Sequence, residues 1–145
     1  MKIAAGNIWY KSGVRVIPTN GMVKKANQAV MGAGLAAQAA ARYSELPKQL
    51  GERLISTGNH CYYFPDFSII TFPTKHDWKD SSTIELIKAS TIELLQLVDV
   101  NEIKEVMIPP VGCGLGNLLW KDVEKVLYKY LDDRFTVVFY SNFEL

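Results

Sequence analysis

The chain has 145 residues, 48% of them hydrophobic, with a formal net charge of +1, two cysteines and two histidines. That length and balance fit one domain with a real core and exclude a disordered chain, and the near-zero charge excludes a general attraction to nucleic acid or membrane, so any DNA contact must be local. Cys61 and Cys113 form no CxxC or Cys/His cluster, which argues against a metal site and for a reducing compartment. The N-terminal Met-Lys-Ile-Ala-Ala-Gly-Asn lacks the apolar core of a signal peptide and no segment is long enough to span a bilayer, so the cytoplasm of a bacterial cell or an infected host is expected. No repeat or linker interrupts the chain, and residues 1–145 read as one domain.

In chain order, Val14 to Pro18 predicts a short strand that ends at Thr19-Asn20-Gly21. Met31-Gly-Ala-Gly-Leu-Ala36 then runs two glycines into the alanine-rich helix former Leu35 to Arg42. Glycine is useful where a Cβ would be in the way, and a helix start carries unpaired N–H groups and partial positive charge. Such a start attracts phosphates, and it equally suits a small-residue helix packed close on a sheet. Pro47 to Leu54 predicts a second helix. His60 to Phe64 and Ser68 to Phe72, joined by Pro65-Asp66-Phe67, predict a hairpin. Ser82-Thr-Ile-Glu85 offers a capping box for a third helix carrying Ile84, Ile87, Leu94, Leu95 and Val98. Val106 to Pro110 reads as a buried strand, Trp120, Val123, Leu127 and Leu131 as one face of a fourth helix, and Phe135 to Tyr140 as a closing strand. The alternation predicts an α/β fold: a three-layer α/β/α sandwich around a mixed, largely parallel sheet.

In such sheets ligands bind beyond the carboxyl ends of the strands. Three expected strand ends carry unusual residues: Pro18-Thr-Asn-Gly21, Phe72-Pro-Thr-Lys75, and Pro109-Pro-Val-Gly-Cys-Gly-Leu-Gly-Asn117. The last places Gly112, Gly114 and Gly116 alternately before a helix, a second loop suited to backbone N–H groups around phosphate or ribose oxygens. Neither loop matches a P-loop or GxGxxG fingerprint, yet the pair points to a ligand with a diphosphate held between them. Lys75, after an apolar strand and a proline, is a candidate nucleophile as well as an ordinary solvated lysine. Asn20 serves equally as a turn cap or as a ribose contact. Cys113 reads as a packed thiol, His76 and Asp77 as a solvated loop, and Trp78 and Trp120 as core or loop anchors.

These motifs together resemble the macrodomain family, the ADP-ribose-binding module, over essentially the whole chain. Gly6-Asn-Ile8 is similar to that family's Gly-Asp-Ile start, Ile17-Pro-Thr-Asn20 to its second strand, Met31-Gly-Ala-Gly-Leu-Ala36 to its first glycine loop, and Gly112-Cys-Gly-Leu-Gly116 to its diphosphate loop. Phe72-Pro-Thr-Lys75 with His76-Asp-Trp78 looks most like the DNA-ADP-ribosyl glycohydrolase antitoxins, and more distantly like the terminal ADP-ribose protein glycohydrolases. The resemblance implies a hydrolase that releases ADP-ribose from a macromolecule, with Lys75 and Asn20 as the catalytic candidates. The ligand contacts it implies are Asn7 and Ile8 at the start, Thr19, then Met31, Gly32, Ala33, Gly34 and Leu35 in the first loop. Pro110, Gly112, Cys113, Gly114, Leu115, Gly116 and Asn117 follow in the second, with Tyr140 facing the adenine ring. It implies no cofactor, no membrane partner and a monomer. A module that only binds ADP-ribose, or a phosphatase for ADP-ribose 1''-phosphate, is the competing reading. Three departures stand out. Asn7 replaces the aspartate that recognises adenine, Met22 to Asn27 is longer than its antitoxin counterpart, and Gly116 stands where the protein glycohydrolases carry an aspartate.

Overall fold

The computed structural model describes residues 1–141. Val14–Thr19 (β2) forms where the pattern places a strand, and it lies at the middle of a six-stranded sheet. The other strands of that sheet are Lys2–Gly6 (β1), Tyr62–Phe64 (β5), Ile69–Pro73 (β6), Val106–Ile108 (β7) and Phe135–Tyr140 (β8). Their spatial order is β1-β8-β7-β2-β6-β5. Every neighbouring pair is parallel except β5 with β6, the hairpin joined by Pro65–Phe67, so the sheet is mixed and largely parallel as expected.

Alternate residues of each strand face opposite layers. Val16, Ile70, Phe72, Val106, Ile108, Phe135 and Val137 pack under the helices Ile84–Val100 (α3) and Trp120–Tyr130 (α4), through Ile87, Leu94, Val98, Val123 and Leu127. Their neighbours Ile17, Ile69, Met107 and Val138 pack under Gly34–Arg42 (α1) and Leu46–Thr57 (α2), through Ala36, Ala39, Leu46, Leu50 and Leu54. Two apolar clusters on opposite faces of one sheet make the three layers. Pro18 sits in this central strand without conflict because β2 pairs with β7 only through Val14 and Arg15, so its missing N–H leaves no rung of that pairing open.

The structure adds two elements that the pattern does not signal. β1 is a five-residue edge strand, Lys-Ile-Ala-Ala-Gly, poor in β-branched residues and fixed by pairing with β8. Val23–Lys24 (β3) and Gln28–Ala29 (β4) form a small antiparallel ribbon that takes in most of the segment Met22 to Asn27 and the two residues after it. Ala26 and Asn27 between them have positive φ of 61° and 58°. The capping box is also displaced by one residue. Thr83, not Ser82, caps α3 by accepting the Leu86 N–H at 3.2 Å, and Ser82 is buried with its own N–H on the Gly116 carbonyl. Helix α2 begins at Leu46 and runs to Thr57, beyond the Pro47 to Leu54 of the pattern.

The ribbon rests directly on α2. A Cβ at Gly51 would collide with the Asn27 carbonyl oxygen and lie 2.9 Å from the Ala29 nitrogen, both backbone atoms that cannot swing aside. Gly51→Ala should therefore cost about 2 kcal/mol by forced separation of packed backbones. Chemical denaturation would register this as a lower midpoint at unchanged m-value.

Candidate functional site

Because β1, β8, β7, β2 and β6 are parallel, their carboxyl ends open on one edge of the sheet. That edge carries Asn7 and Ile8 after β1, Tyr140 at the end of β8, the 109–119 loop after β7, Asn20 after β2 and Thr74-Lys75 after β6. Hydrogen bonds join Ser141 to Gly6, Thr74 to Thr19 and Lys75 to Leu115 along it.

At β2, Asn20 is held on both sides. Its side-chain amide donates to the Val30 carbonyl at 3.1 Å and accepts the Met22 N–H at 2.9 Å. It thereby fixes the entry to the first glycine loop, and Val30 N–H closes the turn on the Met22 carbonyl at 2.9 Å. The turn-capping role of Asn20 is thus realised. In the loop itself Met31 is buried, whereas Gly32, Ala33 and Gly34 are exposed and Leu35 is half-buried. No side chain caps α1 at Ala33, and a Cβ on Gly32 or Gly34 would meet nothing within 4 Å. These two glycines keep space open in front of a helix start that favours negative charge.

The second loop uses its glycines differently. Gly112 has φ +77°, and a Cβ there would lie 2.9 Å from Leu118 and 3.1 Å from Ile87. At Gly116 a Cβ would collide with the Ser82 hydroxyl and stand 2.5 Å from the Gly112 carbonyl oxygen. An aspartate cannot be placed at 116 without moving the loop, which explains the glycine found where the protein glycohydrolases carry one. Gly114, by contrast, is exposed with nothing within 4 Å of its missing Cβ. The turn is closed by Cys113 N–H on Pro110 O, Asn117 N–H on Gly114 O and Leu118 N–H on Gly112 O, at 3.2, 3.1 and 2.9 Å. Asn117 takes φ +66° there. The Cys113 thiol lies 3.6 Å from the Val111 carbonyl, and burial pushes its pKa up, away from the thiolate a nucleophile needs. It packs, as the sequence suggests.

Lys75 connects the β6 end to this loop. Its ammonium donates to the Leu115 carbonyl at 3.3 Å and to the Trp78 carbonyl at 3.4 Å. A lysine 40 positions away in sequence therefore touches the glycine loop. Its backbone is held too. The Thr74 N–H donates to Thr19 O at 3.0 Å, and the Gly21 N–H donates to His76 O at 2.9 Å. Asn59, in the turn after α2, donates from its amide nitrogen to Lys75 O at 3.0 Å and lies 3.0 Å from the His76 ring nitrogen Nδ1. Sequence reasoning misses Asn59. Its only signal is an asparagine after a helix-ending glycine, which looks like an ordinary turn.

On the other flank, Asn7 accepts the Trp9 N–H at 3.0 Å and caps a single turn of 3-10 helix over Ile8–Tyr10. Arg15, also missed, organises this turn. Its guanidinium donates to the carbonyls of Ile8, Trp9 and Lys11 at 3.0, 3.0 and 2.8 Å and lies 5.6 Å from the Trp9 ring centroid. Arg42 of α1 lies over the same indole at 4.4 Å, and the indole N–H donates to Gln38 at 2.7 Å. Ile8 and Thr19 are buried and shape the edge from beneath, while Tyr140 is 74% exposed opposite Gly6. Trp120 is an anchor, edge-on to Phe139 at 5.0 Å. Trp78 is not part of the core and stands 53% exposed. Asn27 is exposed on the ribbon, so Asn20 is the asparagine that adjoins the first glycine loop.

A three-layer sandwich with two glycine loops at the carboxyl edge of a six-stranded mixed sheet is the macrodomain architecture. Residues 15–127 match the Macro domain family, and the chain belongs to it. The macrodomain of Mycobacterium tuberculosis DarG superposes with a TM-score of 0.80 at 27% identity, over 94% of this chain and 96% of that one. Thermosipho africanus DarTG in complex with ADP-ribose superposes at 0.80 over 97% of this chain and 42% of that one, at 19% identity. Among sequences, the DNA ADP-ribosyl glycohydrolase of Mycobacterium tuberculosis is 42% identical over 59 residues, 41% of this chain and 17% of the relative. The DNA ADP-ribosyl transferase-DNA ADP-ribosyl glycohydrolase fusion protein of Thermosipho africanus is 36% identical over 81 residues, 56% of this chain and 19% of the relative. The chain thus matches less than a fifth of the length of either curated relative.

The two classes of glycine are separable by stability. Gly114→Ala should change the unfolding free energy by less than about 0.5 kcal/mol. Gly116→Ala should lower it by about 2 kcal/mol, since the new methyl group meets backbone. Equal thermal shifts for both variants would contradict the division.

Proposed function

We propose that this protein binds ADP-ribose along the carboxyl edge of its sheet and hydrolyses its bond to a macromolecule, with a DNA base as the favoured attachment. The observation that carries the reading is the Lys75 ammonium held at 3.3 Å from the Leu115 carbonyl, on the lip of the second glycine loop. The loops at Gly32 to Leu35 and Gly112 to Asn117 hold the diphosphate, with Gly32, Gly34 and Gly114 leaving room for close approach. Asn7, Ile8 and Tyr140 receive the adenine end. The distal ribose then falls between Asn20 and Lys75. The DNA ADP-ribosyl glycohydrolases among the relatives favour a nucleic-acid substrate over a protein.

In the reaction, the bond from the anomeric carbon of the distal ribose to its leaving atom breaks with the electron pair going to the leaving group. Lys75 attacks that carbon as the free amine, or steadies the departing charge as the ammonium. Water finally supplies a hydroxyl to the carbon and a proton to the released group. Asn20 orients the ribose from the turn it already caps, because its amide keeps one N–H and one lone-pair direction beyond the two bonds it makes. A binder without turnover is the second reading. It is favoured by the fact that both Lys75 and Asn20 already bond backbone groups.

The deciding assay incubates the protein with ADP-ribosylated DNA, ADP-ribosylated protein and ADP-ribose 1''-phosphate and follows release beyond one equivalent. Turnover of the DNA substrate alone is expected, and binding without release would leave the second reading in place. Gly114→Glu should fold normally, since its neighbourhood is open, yet lose ADP-ribose binding by calorimetry because a carboxylate takes the diphosphate's place. Lys75→Ala should slow release by at least about a hundredfold, equivalent to about 3 kcal/mol of transition-state stabilisation, and leave the affinity for free ADP-ribose nearly unchanged. Intact catalysis with collapsed affinity would make Lys75 a phosphate clamp instead.

A further inference from the structure

We propose that the exposed indole of Trp78 is the stacking platform for the unpaired nucleobase that carries the ADP-ribose; the inference rests on Lys75 serving the distal ribose as described above. The argument is one of reach. The Lys75 ammonium lies 3.4 Å from the Trp78 carbonyl and 3.3 Å from the Leu115 carbonyl, so both residues border the point where the anomeric carbon must sit. Whatever is bonded to that carbon leaves the site past them. Their side chains are both exposed, Trp78 by 53% and Leu115 by 71%, whereas Trp9 is buried and Trp120 is packed on Phe139. An indole left open to water at that place offers a flat apolar face to the leaving group.

The turn holding the indole is fixed. Lys79 N–H donates to the Asp77 carboxylate at 3.0 Å and Asp80 N–H donates to the Asp77 carbonyl at 3.0 Å. Behind it, Asn59 and Gly21 hold the Lys75 and His76 carbonyls. A platform that does not have to be ordered on binding loses little entropy when a base stacks on it. The charges of the segment also discriminate between partners. Lys75 and Lys79 are balanced by Asp77 and Asp80, so the patch has neither the positive excess that tracks a phosphate backbone nor one suited to an acidic peptide. A base with a π-face fits a neutral surface with one exposed aromatic ring, and such stacking is tolerant of base identity. The Lys79 ammonium, 5.5 Å from the indole centroid, adds a single charge for the phosphodiester beside the seated base. Duplex DNA presents no free base face, so the strand must be single or locally opened.

The test is a binding comparison in the Lys75→Ala background, in which turnover is slowed at least about a hundredfold. Affinities are measured by calorimetry and fluorescence anisotropy for free ADP-ribose, for a single-stranded oligonucleotide with one ADP-ribosylated base, and for a peptide with ADP-ribosylated glutamate. The modified oligonucleotide should bind about tenfold more tightly than free ADP-ribose. Trp78→Ala should abolish that gain and Trp78→Phe should keep most of it, with free ADP-ribose bound equally by all three proteins and melting temperatures unchanged. Raising salt from 50 to 200 mM should change the gain by less than a factor of about five, the slope of roughly one phosphate contact. An oligonucleotide bound no better than ADP-ribose, a gain that survives Trp78→Ala, or the same gain and loss on the peptide would each overturn the assignment. Failure of the hydrolase reading would appear elsewhere, as absence of release by the unmutated protein, and the binding comparison would still decide the role of Trp78.

Discussion

Parallel pairing of five strands is the constraint on which the rest depends. A parallel neighbour must be reached by a crossover, and here the crossovers supply the helices of both outer layers. The same geometry sends the carboxyl ends of β1, β8, β7, β2 and β6 to one edge, so the loops that follow them meet although they are far apart in sequence. Thr74 reaches Thr19 because β6 and β2 end side by side, and Lys75 reaches Leu115 across the end of β2, from β6 to the loop after β7. The antiparallel β5 closes the far edge and places Asn59, just before it, behind the Lys75 turn.

Within that frame the two glycine loops solve different problems. Gly32, Gly34 and Gly114 face open space, and Gly34 also takes φ +55°, a conformation that favours glycine whatever the space. Gly112 and Gly116 face Leu118, Ile87, Ser82 and the loop's own backbone, where absence of a side chain serves the fold. The tight pack at Gly116 has a chemical consequence, since it excludes a carboxylate from the position, while the Lys75 ammonium stands at the lip of the loop. The Gly112 carbonyl, a backbone atom that cannot swing aside, enforces the exclusion together with the Ser82 hydroxyl buried beneath Gly116.

The flank after β1 is built on another principle. No glycine loop exists there, and a single arginine replaces it by gathering three carbonyls of the turn that follows β1. Arg42 covers the Trp9 indole from α1, so the helix that starts at the first glycine loop also braces this flank at its far end. Substitution of asparagine for aspartate at position 7 is compatible with that arrangement, because the Trp9 N–H needs only an oxygen acceptor. A neutral acceptor leaves the turn intact and makes the flank less negative.

Periodicity in the sequence was enough for the sheet's central strands, the four α-helices and the three layers, because burial on both faces forces continuous apolar runs in strands and one apolar stripe in helices. The glycine loops were legible for the same reason that any glycine pattern is, since only special backbone geometry or close approach keeps glycine in place. What the sequence could not convey is which glycine serves which purpose, for Gly114 and Gly116 look alike until the neighbours of the missing Cβ are known. Edge strand β1 and the β3–β4 ribbon were hidden because their residues become strands through pairing rather than preference. The cap at Thr83 instead of Ser82 was decided by Gly116, which pulls Ser82 under the second loop. Lys75 was visible as a lysine after Phe-Pro-Thr, but its contact with Leu115 and the support from Asn59 close separations of 40 and 16 positions through strand order, and the exposure of Trp78 belongs to the folded surface. The local chain thus determined the kinds of element and the residues worth watching, and the parallel register decided which of them meet.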